Sequence, residues 1–235
     1  MSDSQRIRYR FDLPDASTKT LDFTFDSATF RMTNAAPLQP PFWTALGFNK
    51  CSNCPLNETE SPHCPAALQM TLALEPLKAL VSFDTVGVTV TQAERTVHVE
   101  TSAQQAMSSV LGLIMATAGC PWTDHLRPMA RFHLPFASDM ETVYRSICMF
   151  LLAREMGAEE NSRGFDGLEH LYKNLHEVNR DMSRRLGAAS RTDPARNAMA
   201  LLDSYTTLLP AALESSLEDL KPLFDAWHMK KTPAI

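Results

Sequence analysis

Four cysteines have the spacing of a metal site. Cys51 and Cys54 form a C-x2-C pair, Cys64 follows in the same loop, and Cys120 lies far downstream. A tight turn can direct the two sulfurs of a C-x2-C pair to one metal ion. Several thiolates held together without a metal would repel one another, so such a cluster makes most sense when it is filled. We therefore expect Cys51, Cys54, Cys64 and Cys120 to be the metal ligands.

The residues beside these cysteines bear on the identity of the metal. Cys54, Cys64 and Cys120 each precede a proline, which removes a backbone donor and stiffens the chain next to the sulfur. Zinc is the first expectation. Ferredoxin-type cysteine runs also end in Cys-Pro, so a 4Fe-4S cluster is the alternative, although the spacing is not that of a ferredoxin. Haem bound through a Cys-Pro ligand and a set of free thiols are further interpretations, and His63 could replace a cysteine or donate to a sulfur.

A second group of candidate residues follows Cys120. Residues 120–136 contain Arg127, Arg131 and His133 among aromatic side chains. Arginine presents a bidentate fork to carboxylates and other oxyanions, so these three residues could bind an anion or anionic cofactor beside the metal. A structural role, in which they satisfy backbone carbonyls or the thiolates, is the favoured interpretation.

Three other residues suggest weaker hypotheses. Cys148 lies in an apolar stretch of a predicted helix, where a small core residue is favoured over a ligand. His170 and Glu177 are seven residues apart on one helical face and could join a di-metal site, but no second helix supplies partners. A solvated helical face is the preferred interpretation for this pair.

Composition and charge exclude several classes of function. Only 8 of 235 residues are glycine, about 3% against a usual share of about 7%. No G-x-G-x-x-G, G-x-x-x-x-G-K-[ST] or G-x-S-x-G motif occurs, which argues against Rossmann and P-loop nucleotide enzymes. The net charge of −5, from 22 basic and 27 acidic residues, gives no general attraction for nucleic acid.

The sequence also predicts a cytoplasmic protein without a membrane segment. The first residues lack the charged-then-apolar pattern of a signal peptide. The longest apolar stretch, residues 110–120, has about 11 residues, whereas a membrane span needs roughly 20. In that compartment five cysteines are expected to be reduced or metal-bound rather than paired in disulfides.

Period-two alternation predicts two β-hairpins. In the first, Ile7, Tyr9 and Phe11 alternate with an arginine row that we expect to pair with Asp22 and Asp26. The second covers the valine-rich residues 86–100. The organisation is therefore α+β: an N-terminal β-hairpin, a second β-hairpin flanked by helices, and a C-terminal helical region.

Helix signals divide the rest of the chain. Pro65 suits the first turn of a helix that continues through 66–75, Thr101 caps one that Gly119 ends, and Ser138 opens another. Two more helices follow, one over about 168–186 and one that Asp193 opens and Pro210 breaks. We expect three segments: a hairpin at 1–34, a cysteine-rich metal-binding core at 48–136, and a helical region at 137–235 packed with that core.

Four motifs together resemble a known group of sequences. They are C-x2-C at 51–54, Pro-His-Cys-Pro at 62–65, Ala-Gly-Cys-Pro at 118–121 and Arg-Pro-Met-Ala-Arg-Phe-His-Leu-Pro-Phe at 127–136. They resemble an uncharacterised bacterial family classed as a domain of unknown function. The resemblance covers about residues 48–155 and implies no known activity.

These patterns predict a metal-binding protein with a four-cysteine structural site. A closed four-sulfur site leaves no open coordination position, so we expect a non-catalytic scaffold or interaction protein with an unknown protein partner. The alternatives are an iron–sulfur redox or sensor protein, and an enzyme that binds a small anion through Arg127, Arg131 and His133. The sequence leaves open whether any reaction is catalysed.

Overall fold

A single antiparallel sheet underlies the N-terminal half of the fold. The computed structural model describes residues 4–157, 164–189 and 194–228. Its strands are β1 (Ser4–Asp12), β2 (Thr18–Asp26), β3 (Thr85–Thr91) and β4 (Thr96–Ser102). The sheet order is β2-β1-β3-β4, so both expected hairpins are confirmed, and the contact between β1 and β3 joins them.

The sheet buries one face and leaves the other in water. The buried side chains on this face include Ile7, Tyr9, Phe11, Leu21, Phe23, Phe25, Val86, Val88 and Val90. On the other face Arg8 donates to Asp22 directly across the hairpin at 2.9 Å. Asp26, also expected to pair with the arginine row, instead accepts hydrogen bonds from the backbone and hydroxyl of Thr29.

Helices cover the apolar face of the sheet and form the C-terminal half. They are α1 (Pro65–Leu74), α2 (Ala103–Thr117), α3 (Arg127–Arg131), α4 (Asp139–Glu155), α5 (Asp166–Ala189), α6 (Pro194–Leu220) and α7 (Asp225–His228). Short 3-10 turns occur at Phe42–Thr44, Thr123–Leu126 and Lys221–Phe224. Helix α2 contacts β3 and β4, and α6 packs along α5 and α2, which gives the expected α+β architecture.

Helix ends match the sequence signals with one shift. The capping box of Ser138 and Glu141 opens α4 as predicted. The N-cap of α2 is Ser102, whose hydroxyl accepts from the amide of Gln105, and not the expected Thr101. Ser102 is the last residue of β4 and directly precedes α2, whereas the hydroxyl of Thr101 donates to the side chain of Gln105. Gly119, with φ of +89°, follows the end of α2 in the left-handed conformation that glycine adopts without strain.

Pro210 does not break the last long helix. Helix α6 continues through this position to Leu220, so the prediction of a break was wrong. A proline inside a helix removes one backbone hydrogen bond, while α6 as a whole packs against α5 and α2. Asp193, predicted to open this helix, lies outside the described residues.

The main core joins the N-terminal sheet to the C-terminal helices. Its buried side chains come from the sheet and from α1, α2, α5 and α6. Cys64 belongs to this core, and Cys51, Cys54 and Cys120 pack against it. A smaller apolar cluster lies between α4 and α5. Across the described residues, no helix is long and apolar enough to cross a membrane.

Neighbouring residues of β1 should differ sharply in their contribution to stability. Phe11 is fully buried, whereas Arg10 lies on the exposed face and contacts Asp12. We expect Phe11→Ala to lower the free energy of unfolding by about 3–5 kcal/mol. Arg10→Ala should lower it by less than about 1 kcal/mol. Urea unfolding followed by circular dichroism measures both, and similar losses would contradict the assigned faces.

Candidate functional site

Three chain segments bring the cysteines to one border of the core. Cys51 and Cys54 lie on a tight turn that is closed by a 3.1 Å hydrogen bond from the Cys54 amide to the Cys51 carbonyl. Cys64 is the N-cap residue of α1, and its amide donates to the carbonyl of Thr44 at 2.8 Å. Cys120 follows the end of α2. The four residues therefore reach the same region from a loop, a helix start and a helix end.

Electrostatic interactions link the thiol of Cys51 to the other three cysteines. Burial, with smaller contributions from Cys64, Cys120, Asp181 and Cys54 in that order, raises the pKa of Cys51 to about 12. A negative charge nearby disfavours a thiolate, so these groups act in the same direction as burial. In the absence of a metal, Cys51 therefore stays protonated at neutral pH.

Cys64 lies in a more mixed environment. Burial raises the pKa of its thiol, while the amide of Ala67 and the guanidinium of Arg185 oppose that increase. A helix N-terminus and a nearby cation both favour the thiolate. Cys64 is thus the cysteine whose surroundings contain groups that can stabilise a negative sulfur.

The side chains do not form a coordination shell as they are placed. Within residues 4–157, 164–189 and 194–228, no three His, Cys, Asp or Glu side chains are arranged to hold a metal ion. His63, a candidate replacement ligand, has its Nδ1 atom 2.8 Å from the hydroxyl of Thr44. The thiols are therefore of a type that suits a soft metal, but as they are placed their sulfurs do not surround one point.

Helix α5 holds the C-x2-C turn through a buried carboxylate. The side chain of Asp181 is completely buried and accepts from the amide of Ser52 at 2.7 Å and from its hydroxyl at 3.0 Å. Arg184 and Arg180 also donate to Asp181, at 2.5 and 3.2 Å. Glu177 accepts from the Ser52 hydroxyl at 2.8 Å, so it anchors the turn as well as lying on the helix surface.

Asn53 links the turn to both α5 and the segment after Cys120. Its side-chain amide donates to the carbonyl of Asn174 at 3.1 Å. Its own carbonyl accepts from Nε1 of Trp122 at 2.8 Å. The first bond holds the C-x2-C turn against α5, and the second holds it against the segment that carries Cys120, which is what a shared site requires.

A buried arginine lies beside the thiols. Arg185 is 1% exposed and donates to the carbonyls of Trp43, Ala45 and Leu46 at 2.7, 2.7 and 3.0 Å. Its Nε atom is buried without a hydrogen-bond partner, and no carboxylate in the described ranges forms an ion pair with it. The cation therefore contacts neutral backbone oxygens and lies near Cys64.

The two arginines predicted to bind an anion have separate partners. Arg127 donates to the carbonyl of Thr29 at 2.8 Å and lies 3.6 Å from the carboxylate of Asp124. Arg131 lies over two phenylalanine rings and 4.0 Å from Glu94. These contacts are those of the structural role that the sequence analysis favoured, because they use a backbone carbonyl and surface ion pairs.

His133 is buried, and its ring is hydrogen-bonded to a tyrosine of strand β1. Its Nε2 atom is 2.5 Å from the hydroxyl of Tyr9, which is 2.8 Å from the hydroxyl of Ser109. Burial, with a smaller contribution from Arg145, lowers the pKa of His133 to about 3. The imidazole is therefore neutral at physiological pH, and the cation that acts on it is Arg145.

His133 and Arg145 line a cavity that sequence reasoning missed. The cavity has a volume of about 500 Å³, and its lining comes from β4, α2, α3, α4, α5 and α6 with the turns between them. Tyr172 and Asn179 on α5 contribute to its wall. His133 lies in the motif at 127–136, but no local motif marks Arg145, Tyr172 or Asn179, because the cavity forms only when several distant helices pack together.

Two remaining candidates lie at the surface. Cys148 is exposed, so the expectation of a core cysteine was wrong. Helix α4 buries the face that carries Val143, Ser146 and Ile147, and Cys148 lies beside that face. His170 is also exposed, as the solvated interpretation requires, and its ring nitrogen lies 3.2 Å from the amide of Asn174.

Comparison with known sequences identifies the family. Residues 7–225 match the family described as Domain of unknown function (DUF6901). The chain belongs to this family, and the match extends beyond residues 48–155 to the first hairpin and the C-terminal helices. No curated protein and no solved structure matches the chain.

The buried carboxylate of Asp181 should stabilise the protein above acidic pH. Burial alone would raise its pKa, but hydrogen bonds from Ser52, Arg184 and Arg180 outweigh burial and hold the pKa below its ordinary value. Asp181→Asn should therefore lower the free energy of unfolding by about 2 kcal/mol at pH 7. Because the folded pKa is depressed, the difference from the unmutated protein should vanish as the pH falls below about 3.9 and through that folded pKa.

Urea unfolding between pH 7 and pH 3 tests the role of Asp181, with Glu177→Gln as the matched control. Glu177 binds the same serine hydroxyl from a more exposed position, so its loss should matter less. Equal effects of the two substitutions would contradict a special role for the buried carboxylate.

His133 should remain neutral where an ordinary histidine is charged. At pH 5 an unperturbed imidazole, with a pKa of about 6.5, is mostly protonated. Nitrogen-15 NMR of the imidazole rings should show a neutral ring for His133 at that pH, with the signal assigned by its loss in His133→Gln. A His133 ring that titrates near pH 6.5 would contradict the buried environment.

Proposed function

We propose that this protein is a metal-binding scaffold in which Cys51, Cys54, Cys64 and Cys120 hold one structural zinc ion. The observation that carries the proposal is that these four cysteines, from three segments, interact electrostatically at one border of the core, where the buried guanidinium of Arg185 acts on Cys64. Thiolate sulfur is a preferred ligand of zinc, and four cysteines complete its tetrahedral shell. Binding requires the sulfurs to turn towards a common centre.

The charge of Arg185 supports a site that contains thiolates. A buried cation without a counter-ion is costly, and carbonyl oxygens compensate it only in part. A zinc ion with four thiolates carries a net charge of about −2, which would balance the guanidinium. Four neutral thiols would leave Arg185 without a negative partner in the described part of the chain.

A zinc ion in this position would join three elements that hydrogen bonds already bring together. The ligands belong to the C-x2-C turn, the start of α1 and the end of α2. A closed shell leaves no coordination position for a substrate, so the metal would stabilise the fold and any surface that meets a protein partner. Its ligands are contributed by the chain alone, as in other structural zinc sites.

An iron–sulfur cluster in the same cysteines is the first alternative. A 4Fe-4S cluster also takes four thiolate ligands, and it would make the protein a redox or sensor protein. The second alternative is an enzyme that binds an anionic small molecule through Arg127, Arg131 and His133. It has less support, because the two arginines contact other partners and His133 is neutral and buried.

Elemental analysis of the full chain, purified without oxygen, tests the metal proposal. We expect about one zinc ion per chain and a colourless protein. A brown protein that contains iron and sulfide, with absorbance near 400 nm, would replace zinc by the cluster alternative. A folded protein without metal, which takes up none when zinc is added under reducing conditions, would overturn the proposal.

Cysteine variants identify the ligands. Cys51→Ser and Cys120→Ser should each lower the zinc content and the melting temperature, because a missing thiolate opens the shell. Cys148→Ser is the matched control, since Cys148 is exposed and should keep both values unchanged. A chelator should lower the melting temperature of the unmutated protein and leave that of metal-free Cys51→Ser unaffected. Full zinc content in Cys120→Ser would show that Cys120 is not a ligand.

A further inference from the structure

The cavity at His133 has the size of a small-molecule site. Its volume of about 500 Å³ lies within the range of about 300–1,000 Å³ that is usual for ligand pockets. Much of its wall is apolar, with contributions from Leu113, Leu126, Met129, Leu134, Leu175 and Leu202. No cysteine lines it, so a ligand here would be separate from the proposed metal.

Arg145 places a positive charge in this apolar wall. Its Nη2 atom donates to the carbonyls of Met129 and Phe132 at 2.6 and 3.0 Å. In the described part of the chain, Nε and Nη1 form no hydrogen bond and no carboxylate forms an ion pair with Arg145. The nearby Glu141 uses its Oε2 atom in the capping box of α4. Burial lowers the pKa of Arg145, and the charge of the nearby Glu141 opposes this only in part.

Two buried polar side chains also face the cavity without partners. Asn179 is 6% exposed and Ser108 is 7% exposed, and both line the wall. Neither side chain forms a hydrogen bond within residues 4–157, 164–189 and 194–228. Neither side chain has a polar atom that is fully enclosed by protein, so these groups are open to the cavity and can hydrogen-bond to a ligand that enters it.

The backbone beside the cavity adds a third observation. Phe136 lines the wall and has φ of +60°, a conformation that bulky residues rarely adopt. Strained residues of this kind cluster at ligand sites, where the surrounding structure holds them. The strained residue Phe136 therefore lines the same cavity as Arg145.

We propose that this cavity binds a small carboxylic acid with an apolar body, whose carboxylate pairs with Arg145. Nε and Nη1 form no hydrogen bond in the described chain, so either can donate a charge-assisted hydrogen bond to the carboxylate. The leucine and methionine side chains then cover the apolar body, and Asn179 and Ser108 hydrogen-bond to polar atoms that enter with it. This inference does not depend on the proposed zinc site.

Calorimetric titration of the full chain with decanoate tests the proposal. Decanamide serves as the neutral probe of the same shape. We expect decanoate to bind about 10–100 times more tightly than decanamide, which corresponds to a hydrogen-bonded charge pair. Arg145→Gln should weaken decanoate binding by about the same factor and leave decanamide binding unchanged. Equal affinity for the two probes, or no binding of decanoate, would overturn the proposal.

Two further variants separate binding from folding. Ser108→Leu fills the cavity without removing a hydrogen bond recorded in the described chain, so it should abolish decanoate binding in a folded protein. Arg154→Gln is the matched control, because Arg154 lies on the same helix but does not line the cavity. Unchanged decanoate binding in folded Ser108→Leu would show that decanoate does not bind in this cavity. A loss of decanoate affinity in Arg154→Gln equal to that in Arg145→Gln would show that its carboxylate does not pair specifically with Arg145.

Discussion

The long loop between the first hairpin and α1 depends on helix α5 for its hydrogen bonds. This loop has little regular structure, so its backbone groups need partners from outside. Arg185 donates to three of its carbonyls, and Asp181 accepts from an amide in its C-x2-C turn. The two side chains are one helical turn apart and almost fully buried. The loop carries Cys51, Cys54 and Cys64, so the positions of these three cysteines depend on this contact.

Helix α5 therefore serves two different sites. Asp181 and Arg185 bind the loop that carries Cys51, Cys54 and Cys64, while Tyr172 and Asn179 line the cavity. On the loop side, Asp181 and Arg185 form several hydrogen bonds to the protein, although Nε of Arg185 has none, whereas Asn179 on the cavity side has no side-chain partner in the described chain. The bonded side chains hold the loop in place, and the free amide of Asn179 is available to a ligand.

The sequence predicted features that depend on local patterns. Alternation gave the two hairpins, because side chains in a strand change faces at every residue. The capping box predicted the start of α4. Pro65, after Cys64, predicted the start of α1, and Gly119, before Cys120, predicted the end of α2. The prediction failed at Pro210, because a proline removes one hydrogen bond but does not by itself end a long helix that packs against α5 and α2.

Features that depend on tertiary packing escaped the sequence. Nothing in the residues around Arg145 distinguishes it from an ordinary surface arginine of an amphipathic helix. Its role appears only when α4 packs beside Tyr172 and His133 and encloses a cavity. Arg127 and Arg131 belong to a conspicuous motif, yet Arg127 donates to a backbone carbonyl and Arg131 lies near the carboxylate of Glu94. The exposed Cys148 is a similar case, because an apolar neighbourhood in sequence does not decide which helical face is covered.

The contact between Ser52 and Asp181 has a consequence for synthesis of the chain on the ribosome. The two residues are 129 positions apart, and translation at about 5–20 residues per second separates them by roughly 10 s. During that interval the loop has emerged while its supporting helix has not yet been made. Buried cysteines and aromatic side chains of the loop are then open to solvent, to oxidants and to chaperones. The nascent chain can complete its N-terminal half only after α5 has left the ribosome.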